Sequence, residues 1–237
     1  MMRRSLASLL LALCAAHSAW SQSSCSSDGQ PTPATLLERF MSADCEACWG
    51  APPPLTPDTR TLLIDWIAPG AGGDDAPLTA AASRDAVMRL AELGLKGPET
   101  ALDSRTKVKR IPLVQLRVAH GKTLGGYIGA TIELRAGARA RLREPLTAWL
   151  LLVETLPAGV EGTPVARNLV RNALVLAWNQ PDRVLKSGRK LFRELRPLNI
   201  PEGASPQRLR VIGWVQDADG RVLSAAQSVC LPAMDAR

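Results

Sequence analysis

Two cysteines separated by two residues, Cys45 and Cys48, form the pattern with the most evident chemistry in this chain of 237 residues. They follow the apolar run 35–41, which is typical of a β-strand, and they precede a predicted short helix. A thiol at a strand-to-helix junction lies beside unpaired backbone N–H groups, which stabilise its thiolate. The spacing is therefore typical of a thiol–disulfide exchange site. Half of a zinc site or a purely local disulfide has the same spacing, so these alternatives stay open.

The residues around the two cysteines act against a reactive thiolate. Three prolines begin at Pro52, and proline disfavours helical geometry in the residue before it, so the predicted helix is about one turn long. Asp44 and Glu46 flank Cys45, and like charge disfavours its ionised form. We therefore expect the pKa of Cys45 to lie near the free value of about 8.5 and the pair to be a poor catalyst.

Histidine is scarce, since the chain contains only His17 and His120. We expect His120 to lie in the turn after a strand, and His17 belongs to the predicted export signal. A zinc site at Cys45 and Cys48 needs two further ligands, and a hydrolase triad needs a histidine near its nucleophile. The sequence therefore predicts neither a metal site nor a cofactor.

The first residues have the features of a secretory signal peptide. Arg3 and Arg4 form a basic start, the run 5–16 is apolar, and small residues precede a predicted cleavage after Ser21. The alternative is a lipoprotein modified at Cys14, although Leu13 is large for that motif. We predict a signal peptide at 1–21, a flexible lead-in at 22–33 and a periplasmic or secreted protein without a transmembrane segment.

Removal of the signal leaves four cysteines in a compartment that permits disulfides. Four cysteines allow three pairings. The close spacing of Cys45 and Cys48 favours a bond between them, which leaves Cys25 to pair with Cys230.

The two halves of the remaining chain differ in their hydrophobic patterns. Residues 62–67 indicate a buried strand, and residues 79–93 have apolar side chains at helical spacing. From Tyr127 onward, apolar and polar residues alternate, and residues 208–228 indicate a hairpin around an Asp-Gly turn. The second half, 126–232, is therefore predicted to be an antiparallel β-sandwich-like domain.

Two stretches of the first half resemble thioredoxin-like proteins. Residues 36–48 are similar to the strand and Cys-x-x-Cys of that family, and VKRIPLVQLRVAHG at 108–121 resembles its segment in which Ile-Pro precedes a strand. The resemblance implies a thioredoxin-like α/β domain at 34–125 and an α+β fold overall. It also implies that Pro112 is cis, packs beside the cysteines and shapes a substrate groove.

The whole chain after residue 21 further resembles a family of uncharacterised secreted bacterial proteins that join a thioredoxin-like lobe to a β-rich C-terminal lobe. The segments that carry this resemblance are ERFMSADCEACW, ARNLVRNAL and VQDADGRVLSAAQ.

Two functions are compatible with these observations. In the first, the chain is an exported binding or scaffold protein of thioredoxin fold, and the Cys45–Cys48 bond is weakly active or only structural. In the second, it is a periplasmic thiol–disulfide oxidoreductase that acts on protein thiols or disulfides, with Cys45 as nucleophile and Cys48 as resolving thiol.

Charge is distributed unevenly along the chain, which has a formal net charge of +7. Residues 22–107 carry 7 Lys/Arg and 12 Asp/Glu, whereas residues 108–237 carry 20 and 10. Two lobes that attract each other, or separate solvated faces, would explain the uneven charge. The alternative is an anionic partner. Nucleic acid is not expected for an exported chain. The candidate anionic-binding residues, which we expect to be exposed, are Arg183, Lys186, Arg189, Lys190, Arg193 and Arg196.

Overall fold

The computed structural model of the protein describes residues 25–52 and 58–230. Strands are the commonest secondary structure in this part of the chain, as its alternating and continuous apolar runs predict. Within it, twelve strands follow one another: β1 (Cys25–Ser26), β2 (Thr35–Ser42), β3 (Thr61–Ala68), β4 (Ala101–Lys107), β5 (Val114–Leu124), β6 (Tyr127–Ala136), β7 (Leu146–Leu156), β8 (Arg167–Trp178), β9 (Arg183–Val184), β10 (Lys190–Asn199), β11 (Leu209–Gln216) and β12 (Val222–Gln227).

The helices of the described residues are short. Helix α1 spans Glu46–Gly50 and α2 spans Arg84–Glu92. Helix α2 begins after Ser83, whose hydroxyl accepts a hydrogen bond from the backbone N–H of Ala86 and so satisfies one of the free donors of the first turn. Single 3₁₀ turns lie at Gly73–Asp75, Thr79–Ala81 and Pro206–Arg208. No helix in the described ranges is both long enough and apolar enough to span a membrane.

The strands of the described residues form two sheets. A five-stranded antiparallel sheet has the order β1-β5-β6-β10-β9, and a seven-stranded mixed sheet has the order β12-β11-β7-β8-β3-β2-β4. Strands β2 and β3 are parallel, with Thr35 opposite Thr61 and Ser42 opposite Ala68. Because parallel strands need a crossover, α1 lies in the connection between them. The carboxyl ends of β2 and β3 therefore meet at one edge, where Cys45 and Cys48 follow.

The two sheets pack face to face over a continuous apolar core. One face of the seven-stranded sheet supplies alternate residues such as Ala148, Leu150 and Leu152, which pack against the inner face of the five-stranded sheet. The sheets approach closely at Gly213, where a Cβ atom would lie 2.8 Å from a methyl of Val118. Glycine is therefore required at this point of β11.

Helix α2 covers the opposite face of the seven-stranded sheet. Trp149 and Trp214 stack there at 5.4 Å between ring centroids, and the Arg89 guanidinium lies 4.9 Å from the Trp214 ring. Glu38 pairs with Arg89 through two hydrogen bonds of 2.6 and 2.8 Å, and both side chains are fully buried. The carboxylate and the two indole faces together compensate for the cost of burying this charge.

The predicted fold class is wrong. A thioredoxin-like α/β domain at 34–125 followed by a separate β-sandwich-like domain requires each sheet to come from one half of the chain. Instead, β5 and β6 pair across residues 125 and 126, and β3 pairs with β8 at Asp65 and Leu169. The alternating patterns were interpreted within each half, whereas these long-range pairings unite both halves in a mostly β, two-sheet fold.

The predicted signal peptide at 1–21 lies outside the described residues. The described part of the lead-in, from Cys25 onward, is held against β5. Cys25 and Ser26 pair with His120 and Ala119, the Ser27 N–H donates to the carbonyl of Val118, and Asp28 accepts hydrogen bonds from Arg117.

Candidate functional site

The Cys45–Cys48 disulfide lies just beyond the carboxyl end of β2. Cys45 occupies the N-cap position of α1, and the N–H of Cys48 donates to its carbonyl at 3.1 Å. Cys45 is half-buried, whereas Cys48 is buried with 9% of its surface exposed. The two residues of one bond thus differ in exposure, and Cys45 is the more exposed of the two.

The carboxylate of Asp44, next to Cys45, is bound by the glycine-rich loop that follows β3. The N–H groups of Ala71 and Gly72 donate to it at 2.6 and 3.0 Å. A Cβ atom on Gly70 would overlap this carboxylate, so a residue without a side chain is needed there. The sequence indicated only that Asp44 is a repulsive neighbour of Cys45. The structure gives the Asp44 charge two hydrogen-bond donors of its own, which reduces its effect on the thiol.

A buried arginine fixes the other end of α1. Arg167, the first residue of β8, donates from Nη2 to the carbonyls of Cys48 and Trp49 at 3.1 and 2.7 Å, and also to the carbonyl of Ala51. Its guanidinium lies 5.6 Å from the Trp49 ring. The last carbonyls of a helix carry partial negative charge, so a cation here satisfies free acceptors and anchors the cysteine segment to the sheet.

Asp65 of β3 is the counter-ion of Arg167. Its Oδ1 lies 3.3 Å from Nη1 of Arg167, its Oδ2 accepts from the N–H of Asn168 at 2.7 Å, and both charged side chains have no exposed surface. Burial raises the pKa of Asp65 and lowers the pKa of Arg167. Sequence reasoning missed Arg167 as part of the site. The sequence feature that could have indicated a buried cation is Asp65, because a carboxylate within the apolar run 62–67 requires a buried partner.

A second arginine, Arg39 on β2, also reaches the end of α1. It donates from Nη1 to the carbonyl of Ala51 at 3.1 Å and lies 3.8 Å from the carboxylate of Asp103. Asp65 and Asp103 are the counter-ions of Arg167 and Arg39, so two ion pairs lie at the end of α1. Both arginines hold the cysteine segment through the carbonyl of Ala51.

A groove of ≈ 330 Å³ is lined by Trp49, the residue after Cys48, and neither cysteine lines it. Trp49, Ile67 and Leu78 contribute apolar surface, and they belong to the same apolar cluster as Cys48. The indole N–H of Trp49 donates to the carbonyl of Glu161 at 2.7 Å, so the loop between β7 and β8 forms one wall. The groove is thus connected to the disulfide through Trp49 and the shared apolar cluster.

The structure does not bring Pro112 to the cysteines. β4 is antiparallel to β2, and Lys107 at its end lies opposite Thr35 at the start of β2. Pro112 follows five residues later and is exposed, whereas the cysteines follow the other end of β2, roughly 25 Å away for eight extended residues. In the described ranges the cis peptide bond is Glu144–Pro145. The groove beside Trp49 is therefore formed without Pro112.

The second disulfide joins Cys25 to Cys230, as the pairing by local spacing predicted. His120 lies opposite Cys25 in the β1–β5 pair, inside β5 rather than in a turn after it. Its ring is buried with 5% of its surface exposed, and this burial lowers the pKa of His120.

The predicted anionic-binding residues lie on β9, β10 and the turn between them, which we name the basic hairpin. All are exposed except Lys190, which is half-buried. Lys190, Arg193 and Arg196 form ion pairs with Glu144, Glu133 and Glu194. Within the described part of the chain, the remaining cations of the hairpin have no acidic partner; they are Arg183, Lys186 and Arg189.

Comparison with known proteins gives little information about this chain. No protein-family model matches it, and no curated protein is significantly similar. One solved structure, an endonuclease/exonuclease/phosphatase from Beutenbergia cavernae, matches with 10% identity and a TM-score of 0.23. The match covers 55% of this chain and 30% of that protein. A similarity at this level assigns neither the fold nor the function.

Proposed function

We propose that the protein is an exported thiol–disulfide exchange protein that acts at Cys45–Cys48. The observation that carries the proposal is the unequal exposure of the two cysteines in one disulfide: Cys45 is half-buried and Cys48 is buried. Exchange requires one sulfur that an external thiolate can reach and one that leaves. The substrate class is protein thiols or disulfides, and the groove beside Trp49 is the surface against which they dock.

In the reaction, a substrate thiolate attacks Sγ of Cys45. A sulfur–sulfur bond forms between substrate and Cys45 while the Cys45–Cys48 bond breaks, and its electron pair remains on Cys48 as a thiolate. A second substrate thiolate then attacks the substrate sulfur of the mixed disulfide and releases Cys45. The substrate leaves as a disulfide, and the protein keeps two reduced cysteines after protonation.

The surroundings assist this sequence at two points. The buried charge of Arg167 lies against the Cys48 backbone and favours the thiolate formed there. The N–H donors of Ala71 and Gly72 hold the Asp44 carboxylate and reduce its repulsion of an ionised Cys45. The exposed side chain of Glu46 still opposes ionisation of Cys45 by like charge. The exchange is therefore slow.

The test uses two matched variants, each with one free thiol at the site. In Cys48→Ser, the accessible Cys45 is expected to form a mixed disulfide with glutathione disulfide, detected by intact mass. In Cys45→Ser, the buried Cys48 is expected to react at least about tenfold more slowly. Equal rates in the two folded variants would contradict the proposal. Insulin reduction by the wild-type protein that disappears in Cys45→Ser would support catalysis, and a Cys45–Cys48 bond resistant to excess dithiol would leave it as a structural link.

A binding or scaffold role is the second candidate, and the basic hairpin favours it. Three exposed cations without acidic partners in the described chain provide a surface for an anionic polymer or lipid head group. Binding to anionic vesicles is expected to fall as salt rises, because exposed charges are screened beyond about 8 Å at physiological ionic strength. Replacement of Arg183, Lys186 and Arg189 by Gln would remove the binding, whereas replacement of the paired Lys190 would change it little. No binding at low salt would reject this role.

A further inference from the structure

A cysteine, a histidine and a second cysteine meet where the two ends of the described chain come together. Cys25 on β1 lies opposite His120 on β5, and Cys230 follows β12. The two sulfurs and a ring nitrogen of His120 all lie within 4.8 Å of one another. Two sulfurs and one imidazole at this separation are the ligand set of a soft-metal site.

The hydrogen bonds of His120 leave one ring nitrogen free. Its Nδ1 lies 3.0 Å from the carbonyl oxygen of Gly121. A carbonyl only accepts, so Nδ1 carries the proton and the neutral ring presents a lone pair at Nε2. Among the described residues, Nε2 has no hydrogen-bond partner although it is buried. Metal-binding histidines have this arrangement, in which the other ring nitrogen donates to a carbonyl and fixes the ring.

The backbone around the two cysteines keeps them together without the sulfur–sulfur bond. Ser26 and Val229 exchange two backbone hydrogen bonds of 3.1 and 2.9 Å. The N–H of Ser27 donates to the carbonyl of Val118 at 2.9 Å, which holds β1 on β5 beside His120. These bonds do not depend on the oxidation state of the cysteines, so the three side chains stay close after reduction.

We propose that reduction of the Cys25–Cys230 bond converts this cluster into a binding site for Cu(I), with Cys25, Cys230 and Nε2 of His120 as ligands. A dithiol reductant supplies the two electrons and two protons that turn the disulfide into two thiols, and becomes a disulfide itself. Cu(I) then displaces both thiol protons and binds two thiolates and a neutral imidazole. Cu(I) fits because thiolate ligands select it and three donors complete its coordination, whereas a structural Zn²⁺ site has four protein ligands.

The test begins with the protein from residue 22 onward, which lacks Cys14 and His17 of the predicted signal. Cys45 and Cys48 are both replaced by Ser, because a reduced Cys-x-x-Cys pair itself binds soft metals. After reduction with a phosphine under anaerobic conditions, Cu(I) is titrated against a chromophoric Cu(I) chelator. We expect one Cu(I) per chain. His120→Gln is expected to weaken binding at least tenfold, and Gln115→Ala, an exposed position on the same strand, is the matched control and is expected to leave it unchanged.

A second measurement does not depend on the stability of the His120 variant. In the reduced Cys45→Ser/Cys48→Ser chain labelled with ¹⁵N-histidine, Cu(I) is expected to shift the Nε2 resonance of His120 and to leave Nδ1 protonated. Tight Cu(I) binding without that shift would overturn the proposal, as would tighter binding of Zn²⁺ than of Cu(I). The proposed exchange activity requires Cys45 and Cys48, which are absent here, so the two proposals fail independently.

Discussion

The two disulfides of the molecule link the chain over very different distances. Cys45 and Cys48 are 3 residues apart and close a single helical turn, whereas Cys25 and Cys230 are 205 residues apart and join the first strand to the segment after the last. A cross-link restricts the unfolded chain more when its loop is longer: the chain-entropy relation gives about 5 kcal/mol for the long loop and about 1.5 kcal/mol for the short one. The Cys25–Cys230 bond therefore contributes most to stability. The Cys45–Cys48 bond contributes less, so it can take part in exchange without a large loss of stability.

The charged groups near the two disulfides also differ in burial. Arg167 lies beneath Cys45–Cys48 as a fully buried cation paired with Asp65. The ion pair near Cys25–Cys230, between Arg117 and Asp28, has 35% and 61% of its side-chain surfaces exposed. A buried ion pair lies where we propose exchange, whereas the long-range bond lies beside His120, whose Nε2 has no hydrogen-bond partner among the residues that the structure describes.

The largest effect is expected from removal of the long-range bond. The Cys25→Ser/Cys230→Ser protein should lose about 3 to 5 kcal/mol of unfolding free energy, and the Cys45→Ser/Cys48→Ser protein about 1 to 2 kcal/mol. Urea unfolding of both variants beside the wild type measures the difference. Equal losses of unfolding free energy would show that the Cys25–Cys230 bond does not contribute more to stability than the Cys45–Cys48 bond.

Arg167→Met should cost about 3 to 5 kcal/mol, because it leaves the buried carboxylate of Asp65 without its counter-ion and removes one donor from the carbonyls of Cys48 and Trp49. Arg117→Met, the matched change at the exposed pair, should cost about 1 kcal/mol or less. Thermal and urea unfolding measure both. Faster alkylation of Cys48 in the reduced Arg167→Met protein would show that the substitution loosens α1. A loss of unfolding free energy no larger than that of Arg117→Met would contradict the role assigned to Arg167.

Gly70→Ala should cost about 1 to 3 kcal/mol, since its methyl overlaps the carboxylate of Asp44. Gly97→Ala is the control, because a Cβ atom at Gly97 meets no atom within 4 Å. The displaced Asp44 carboxylate loses its two backbone donors, so the pKa of Cys45 should also rise. The pH dependence of Cys45 alkylation in a Cys48→Ser background measures this shift, and an unchanged alkylation profile would show that the loop does not influence the thiol.

The smallest effect is a pH dependence near the long-range bond. Burial holds the pKa of His120 below its ordinary value of 6.5, so below that pH the unfolded chain takes up a proton that the folded chain does not. The unfolding free energy that His120 contributes is therefore fully present above pH 6.5 and is lost as pH falls from 6.5 through the lowered pKa of the folded state. His120→Gln should flatten this slope in the oxidised protein. A slope that persists in the variant would assign it to other groups.

Local features of the fold were accessible from sequence, and long-range ones were not. The predicted strands at 35–41 and 62–67 correspond to β2 and β3, because continuous apolar runs of that length have few alternatives. The pairing of β3 with β8 joins Asp65 to Leu169, and no pattern along the chain specifies a partner a hundred residues away. The thioredoxin-like interpretation was wrong for this reason: it assigned the cysteine segment to a local domain.

The candidate site also has a part that the sequence predicted and a part that it did not. Cys45, Cys48 and the shortness of α1 followed from spacing and from the prolines that begin at Pro52. The groups that hold α1, Arg167 and the loop carbonyl of Glu161, arrive from more than a hundred residues away. The donors at Ala71 and Gly72 are backbone groups, which any residue but proline supplies, so residue type did not reveal them.

The closure at Cys25–Cys230 makes the described polypeptide a covalent ring. In a ring, the position of the chain ends does not determine which strands pair. The ends can therefore be moved without a change of fold. The β5–β6 turn at Gly125 and Gly126 is exposed, and both residues have positive φ, at 56° and 80°. Such a turn tolerates new chain ends. A circular permutant that begins at Gly126, with the native ends joined by a short flexible linker, should reach the same two-sheet structure.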